Sequence, residues 1–348
     1  MKITFVAPHI KPAGGPRAFL TYAHLLARRG HEVTVIVPVN GAFRRLVGSL
    51  LVKKPKWFAN FAATLKRVDA AYHEQDIPDG DIIIATAWQT AGPVASYGPS
   101  KGKKSYLVQH YESLYHGKPE VVDALWAGPA MKLQKITISN WIKGILKEKF
   151  HSDADLILTP VDLELFHFVP EAKNKSPVRI CLLDHEYKWK GTVEGARAFE
   201  VVKKDFPDIK LVLFGVRRAV TSIPHDEYHY YPQQKDLARI YSSCDIFLCP
   251  SDYEGLGMPA MEAMACKSAV VTWDTGGSRD YAFDGKTAFV AKHADFDDLV
   301  RKLKLAVSDK VLREQIAENG YKFIRTLSWE NAVTRMEDIF FGAVSAKK

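Results

Sequence analysis

The segment with the densest chemistry runs Ser251-Asp252-Tyr253-Glu254-Gly255-Leu256-Gly257-Met258-Pro259-Ala260-Met261-Glu262-Ala263-Met264-Ala265-Cys266. An apolar β-branched run ending near Pro250 precedes it, and Pro259 is well placed to sit in the first turn of a helix. A strand, a glycine-bearing loop and a helix N-terminus together make a pocket for phosphate. The glycines allow close backbone approach, and unpaired N–H groups with the helix dipole attract negative charge. Glu254 falls in the loop and Glu262 about one turn into the helix. Two carboxylates so close to a phosphate pocket would repel its ligand unless they contacted hydroxyl groups instead.

The full string E-G-x-G-x-P-x-x-E-A-M-A-C resembles the E-x7-E signature of retaining GT-B glycosyltransferases, nearest to glycosyltransferase family 4. The resemblance covers the second half of the chain and extends more loosely over the first. It implies that Glu254 contacts the donor sugar near its reacting carbon and that Glu262 holds the ribose hydroxyls. Gly255 and the N–H groups around Leu256, Gly257 and Met258 would then meet the diphosphate. No metal is expected, and the co-substrate would be a nucleotide diphosphate sugar.

A second cluster, Asp184-His185-Glu186-Tyr187-Lys188-Trp189-Lys190-Gly191, follows another strand and precedes another helix. Lys190 is similar to the family lysine that neutralises the leaving diphosphate. The family pattern G-R-L-x-x-x-K-G is altered here, with Asp184-His185-Glu186 in place of Gly-Arg-Leu. A histidine at 185 would make one phosphate contact weaker and pH-dependent, because an unperturbed imidazole titrates near 6.5; Lys188 is the other candidate for that charge.

Lys11-Pro12-Ala13-Gly14-Gly15-Pro16-Arg17 lies between the first strand and the first helix. By itself it reads equally as a tight turn. Its place resembles the family's glycine loop, which assigns Gly14, Gly15 and Arg17 to the donor. His110, in Gln109-His110-Tyr111-Glu112 just after a strand, stands where the family often carries a histidine that touches the donor sugar, although a lone histidine is also a common structural residue. The missing G-x-G-x-x-G argues against a dinucleotide dehydrogenase. Asp295-Phe296-Asp297-Asp298 superficially matches a D-x-D metal motif, yet it precedes an amphipathic helix, where acids favour the N-terminus. Asp79-Gly80-Asp81 reads as a turn.

These residues need a scaffold, and 348 residues suit two α/β domains better than one. The apolar fraction of 47% and charged fraction of 25% are those of a soluble globular protein. Short β-branched runs alternate with helical patterns from Ile3 to Ile138, pause over a polar, proline-bearing stretch, and resume at Val178. That rhythm predicts two Rossmann-like domains with parallel sheets, facing one another across a deep cleft, the GT-B arrangement. The expected boundaries are 1–160 for an acceptor-side domain, 161–177 for a linker, 178–326 for a nucleotide-sugar-binding domain, and 327–348 for a terminal helix crossing back to the first domain.

The net charge of +8 belongs wholly to residues 1–175 and is densest between Ala42 and Val68, where Arg44, Arg45, Lys53, Lys54, Lys56, Lys66 and Arg67 occur without an acid. Apolar residues at helical spacing, Trp57 among them, suit either a helix on an anionic membrane surface or an amphipathic helix packed on the domain. Nucleic-acid signatures are missing. The opening residues read as a strand and not as a signal peptide, and no run is apolar enough to cross a bilayer, which predicts a cytoplasmic protein, peripheral on the inner membrane face if the basic segment binds lipid. Four cysteines, Cys181, Cys244, Cys249 and Cys266, have neither zinc nor redox spacing and are expected to be buried thiols. The function that follows is a retaining, metal-independent transfer of a hexose to a glycan or lipid-linked acceptor in cell-envelope polysaccharide or glycolipid synthesis. A non-catalytic GT-B subunit or a sugar phosphorylase is the alternative.

Overall fold

The computed structural model describes residues 1–11, 13–39, 58, 60–114, 118–173, 176–218 and 223–345. They divide into two compact units: Met1–Thr159 together with Glu330–Lys348, and Pro160–Trp329.

In the first unit, strands β1 (Lys2–Val6), β2 (Glu32–Val39), β3 (Thr64–Asp69), β4 (Ile82–Ala85), β5 (Lys103–Val108), β6 (Gln134–Thr137) and β7 (Ala154–Leu156) form a sheet in the order β3-β2-β1-β4-β5-β6-β7. In the second, β8 (Arg179–Asp184), β9 (Lys210–Gly215), β10 (Glu227–Tyr230), β11 (Ile246–Cys249), β12 (Ala269–Trp273) and β13 (Phe289–Ala291) follow the order β10-β9-β8-β11-β12-β13. Every pairing is parallel. Both units therefore repeat the 3-2-1-4-5-6 order, and each has a switch point where the order reverses: between β1 and β4, and between β8 and β11. Central strands buried on both faces need continuous apolar runs, and Ile82–Ala85 and Ile246–Cys249 are fully buried throughout.

The helices of the first unit are α1 (Gly14–Arg28), α2 (Trp88–Ser96), α3 (Pro119–Ala127) and α4 (Asn140–Phe150). Those of the second are α5 (Thr192–Lys203), α6 (Gln234–Ser243), α7 (Met258–Ala265), α8 (Phe296–Ser308) and α9 (Lys310–Ile324). A last helix, α10 (Trp329–Ser345), carries the chain back to the first unit, burying Ala332, Val333, Met336, Ile339 and Phe340 along one stripe. Arg29 anchors it with hydrogen bonds to the Glu330 carbonyl at 3.0 Å and to Thr334 Oγ1 at 3.0 Å, and with ion pairs to Glu330 and Glu337. His31 meets Glu337 at 2.8 Å.

Within the expected linker 161–177, Phe166 is buried against the Tyr241 ring and Val169 N donates to Ser242 Oγ at 3.0 Å, contacts that lie inside the second unit. Of the basic segment 42–68, residues 42–57 and 59 lie outside the described residues. Its last part, expected as helix, is strand β3, with Leu65 and Val68 buried and Thr64 and Lys66 exposed. Leu65 and Val68 are three positions apart and so face opposite sides of the strand, each side of which carries one covered residue. The four cysteines are buried and unbridged. Among the described residues no helix is long and apolar enough to cross a membrane.

Candidate active site

In the second unit the loops that leave β8 and β11 meet at the switch point. Asp252 N donates to the Trp189 carbonyl at 2.8 Å. Gly191 sits at φ +68°, and a Cβ there would lie 1.8 Å from the Pro250 carbonyl oxygen, so only glycine fits between the two loops. Held this way, Lys190 Nζ donates to Glu254 Oε1 at 2.6 Å, with side chains only 14% and 9% exposed. The same ammonium lies 4.2 Å from the centroid of the Trp189 ring. A nearly dry ion pair beneath an aromatic ring is costly to place and persists only where its partners are fixed.

Glu254 is fixed from a third side by the loop after β12. Its N–H donates to Thr275 O at 3.0 Å and its carbonyl accepts from Gly277 N at 3.1 Å, in a bridge between Glu254 and Gly276. A Cβ on Gly277 would come within 2.3 Å of Gly255 O. Gly257, at φ +98°, turns the chain into α7, and the buried Tyr281 donates its hydroxyl to the Gly257 carbonyl at 3.3 Å. Gly255, Leu256 and Met258 thus stand at the start of α7; in its first turn Pro259 has no N–H and Ala260 N bonds the Gly257 carbonyl at 3.1 Å, so Met258 is the residue whose N–H has no acceptor within the helix. Glu262, further along α7, is buried and accepts from the Tyr241 hydroxyl at 3.3 Å. Thr275, Gly276, Gly277 and Tyr281 were not singled out by sequence; the Gly-Gly pair shortly after the strand ending in Trp273 was the available signal.

His185 is half-buried, its Nδ1 accepting from Tyr187 N at 3.1 Å, which leaves the proton of a neutral ring on Nε2. Burial first, and then the Lys190 charge, lowers its pKa below the ordinary value. At neutral pH it is an uncharged donor and cannot replace an arginine as a charge. Lys188 is exposed. The buried Asp184 at the end of β8 binds the guanidinium of Arg217, through Nε at 2.9 Å and through Nη2, and accepts from the Tyr228 hydroxyl at 3.2 Å.

In the first unit, the elements at the equivalent switch point bring together Gly15, Gln109 and Thr86. Neither Gly14 nor Gly15 has positive φ, and both lie in the first turn of α1. A Cβ on Gly15 would make only ordinary van der Waals contact, 3.5 Å from Gln109 Oε1, so neither space nor backbone angle demands glycine there; Gln109 Nε2 donates to the Thr86 carbonyl at 3.4 Å. Arg17, half-buried, lies in the first turn of the helix. His110 packs edge-on against Trp141 at 6.0 Å. The structure gathers Lys190, Glu254, His185 and residues 255–262 in the second unit, and Gly14, Gly15, Arg17 and His110 in the first. Asp295 caps α8, accepting from Asp298 N at 3.0 Å, as a helix start requires. Among the described residues no group of three or more His, Cys, Asp or Glu side chains could hold a metal ion.

The loop that bears His110 is tied down by acids. Glu112 Oε2 accepts from Tyr106 Oη at 2.6 Å and from Trp88 N at 2.9 Å, while Asp123 takes the Tyr111 hydroxyl at 2.8 Å and Lys149 Nζ at 2.8 Å. Burial, against the two hydrogen bonds, pushes the Glu112 carboxyl up to about 7. An acid raised on folding stabilises most below its unfolded value and loses that contribution as pH rises through its folded one. The melting temperature is therefore expected to fall between pH 5 and 8, and Glu112→Gln to flatten that slope; an unchanged slope in the variant would reject the assignment.

Residues 165–323 match the family model described as glycosyl transferases group 1. The chain is 27% identical over 157 residues to the Staphylococcus aureus capsular polysaccharide biosynthesis glycosyltransferase CapM, covering 41% of each. It spans less than two thirds of the length of the curated relatives it matches first. The solved sucrose-phosphate synthase of Thermosynechococcus elongatus superposes with a TM-score of 0.79 at 15% identity, covering 99% of both chains. Anabaena HepE, solved with UDP and glucose, gives 0.80 at 16% identity, over 98% of this chain and all of that one. These likenesses show the fold: two parallel-sheet, Rossmann-like domains of the GT-B type.

Proposed function

We propose that the protein is a retaining, metal-independent glycosyltransferase that moves a hexose from a nucleotide diphosphate sugar to a glycan or lipid-linked acceptor in polysaccharide or glycolipid synthesis. The observation that carries the reading is the buried Lys190–Glu254 pair beside the first turn of α7. A lysine has three donors, and Glu254 takes one of them at 2.6 Å, so the others can serve phosphate oxygens. Negative charge that develops on a departing diphosphate would meet this ammonium and the Met258 amide that opens α7. Fixed dipoles and charges in a water-poor site stabilise such charge without reorganisation, which is the work a metal does in other transferases. Glu254, oriented by Lys190 and by the 275–277 loop, holds the hexose near its reacting carbon. Attack from the same face, with a phosphate oxygen taking the acceptor proton, gives retention.

Glu262 is assigned to the ribose hydroxyls, and His185, through Nε2–H, to a neutral phosphate contact. In the first unit the reading assigns ligand contacts to His110 and to Gly14, Gly15 and Arg17 at the start of α1. The group 1 match, the capsular polysaccharide role of CapM and the UDP and glucose held by HepE support the substrate class. The basic residues between 42 and 68 supply the charge for contact with an anionic membrane where a lipid-linked acceptor would lie.

A ligand bound only by the folded state stabilises it by about 2.7 kcal/mol at a hundredfold excess over Kd. With chelator present, at least one of UDP, GDP, ADP and their thymidine and cytidine counterparts is expected to raise the melting temperature, and Lys190→Met to abolish the shift. No shift with any of them, or an undiminished shift in the variant, would refute the donor site.

A further inference from the structure

The loop 185–190 carries more aromatic surface than the ion pair requires. Its three rings succeed one another: His185 lies 4.7 Å from Tyr187, and Tyr187 stacks on Trp189 at 5.9 Å with the planes 22° apart. Trp189 in turn covers the ammonium that holds Glu254. The series thus runs outward from the buried carboxylate to Tyr187, which is 52% exposed. A residue serving only to pack would bury that ring, since an aromatic side chain gains chiefly from the area it removes from water. Within the loop, the main-chain N–H of Tyr187 is engaged in the bond to His185.

We propose that Tyr187, backed by Trp189, forms a carbohydrate subsite whose exposed ring stacks against one face of a pyranose next to the Lys190–Glu254 pair. Several features favour a sugar over other flat ligands. A pyranose presents a face of C–H bonds carrying slight positive charge, complementary to the negative face of an aromatic ring. Its hydroxyls need polar partners at the ring edge, and Glu254 and Lys190 stand at the inner end of the platform. Binding sites of this kind combine aromatic walls with few convergent polar groups. Tyr253 in the loop after β11 pairs with His293, which follows β13, at 4.7 Å, and the β11 loop is joined to the platform where Asp252 N bonds the Trp189 carbonyl. The inference rests on the proposed function for the identity of the neighbouring centre, and the pyranose is either the donor hexose or a sugar of the acceptor.

Saturation-transfer NMR on the full chain, with methyl α- and β-glycosides of glucose, galactose and mannose, tests this directly. At least one glycoside is expected to give a signal that Tyr187→Ala reduces fivefold or more and Tyr187→Phe retains. Loss of that signal on adding a nucleoside diphosphate hexose that carries the base identified by melting assigns the platform to the donor hexose, and persistence assigns it to an acceptor sugar. The absence of any glycoside signal, an unchanged signal in Tyr187→Ala, or a Tyr187-dependent signal from free nucleosides in place of glycosides overturns the proposal. Glycoside binding without any nucleoside diphosphate response would leave the platform standing and remove the donor reading, whereas the reverse pattern would remove the platform alone.

Discussion

Glu254→Gln and Lys190→Met are each expected to lower sugar transfer about a hundred- to thousandfold, the loss typical of one removed electrostatic stabiliser. Both side chains are largely buried and 2.6 Å apart. Each single replacement also strands a buried charge, which costs about 3–5 kcal/mol, so both variants should melt well below the parent. The double variant Lys190→Met/Glu254→Gln separates the two effects. It removes both charges, and its melting temperature should recover most of the loss while its activity stays as low as that of either single variant. Measuring kcat and melting temperature on all four proteins completes the cycle. A single variant with near-normal turnover, or a double variant that transfers sugar, would show that the pair is structural only.

Gly191→Ala should be far more damaging to folding than its chemistry suggests. At φ +68° an alanine already carries left-handed strain of about 1–2 kcal/mol. Here the added methyl also lies 1.8 Å from the Pro250 carbonyl oxygen, so the loops of β8 and β11 would have to part. Gly285 offers the matched control, because it has the same φ of +68° and a Cβ added there would meet nothing within 4 Å. Gly285→Ala is expected to lose only the conformational term, whereas Gly191→Ala should lose more than twice as much in denaturant melts or fail to accumulate. Equal losses would mean that the loop contact is unimportant.

Much of the fold was legible in the sequence because the central strands announce themselves. Runs such as Ile82-Ile83-Ile84-Ala85 and Ala269-Val270-Val271-Thr272 are buried on both faces, and nothing but apolar or β-branched residues suits them. Harder to read are β3, β7, β10 and β13, which are the four edges of the two sheets. Edge strands are short and half-solvated, with polar residues that discourage further pairing; Glu227-Tyr228-His229-Tyr230 shows this well, with no fully buried position. In the candidate site, the string from Glu254 to Glu262 was readable because a strand, a glycine loop and a helix tip follow one another locally. The supports were not readable, because they come from elsewhere in the chain. Neither the hydroxyl of Tyr281 on Gly257 nor the pairing of Glu254 with Gly276 leaves a mark in spacing. The loss of an arginine at 185 was visible, but the partner of Asp184, Arg217, follows the neighbouring strand and is brought near by the register of β8 with β9.

Because α10 completes the first unit after the whole of the second has been made, the two halves cannot mature in the order in which they are synthesised. At roughly 5–20 residues per second, Val333, Met336 and Phe340, which are buried in the finished first unit, arrive tens of seconds after the rest of that unit at the slower end of that range. The guanidinium of Arg29 waits over the same interval for Glu330 and Glu337. The nascent chain therefore passes through a stage in which the later-made half is finished and the earlier-made half is not, and it is at this stage that a chaperone would have most to shield.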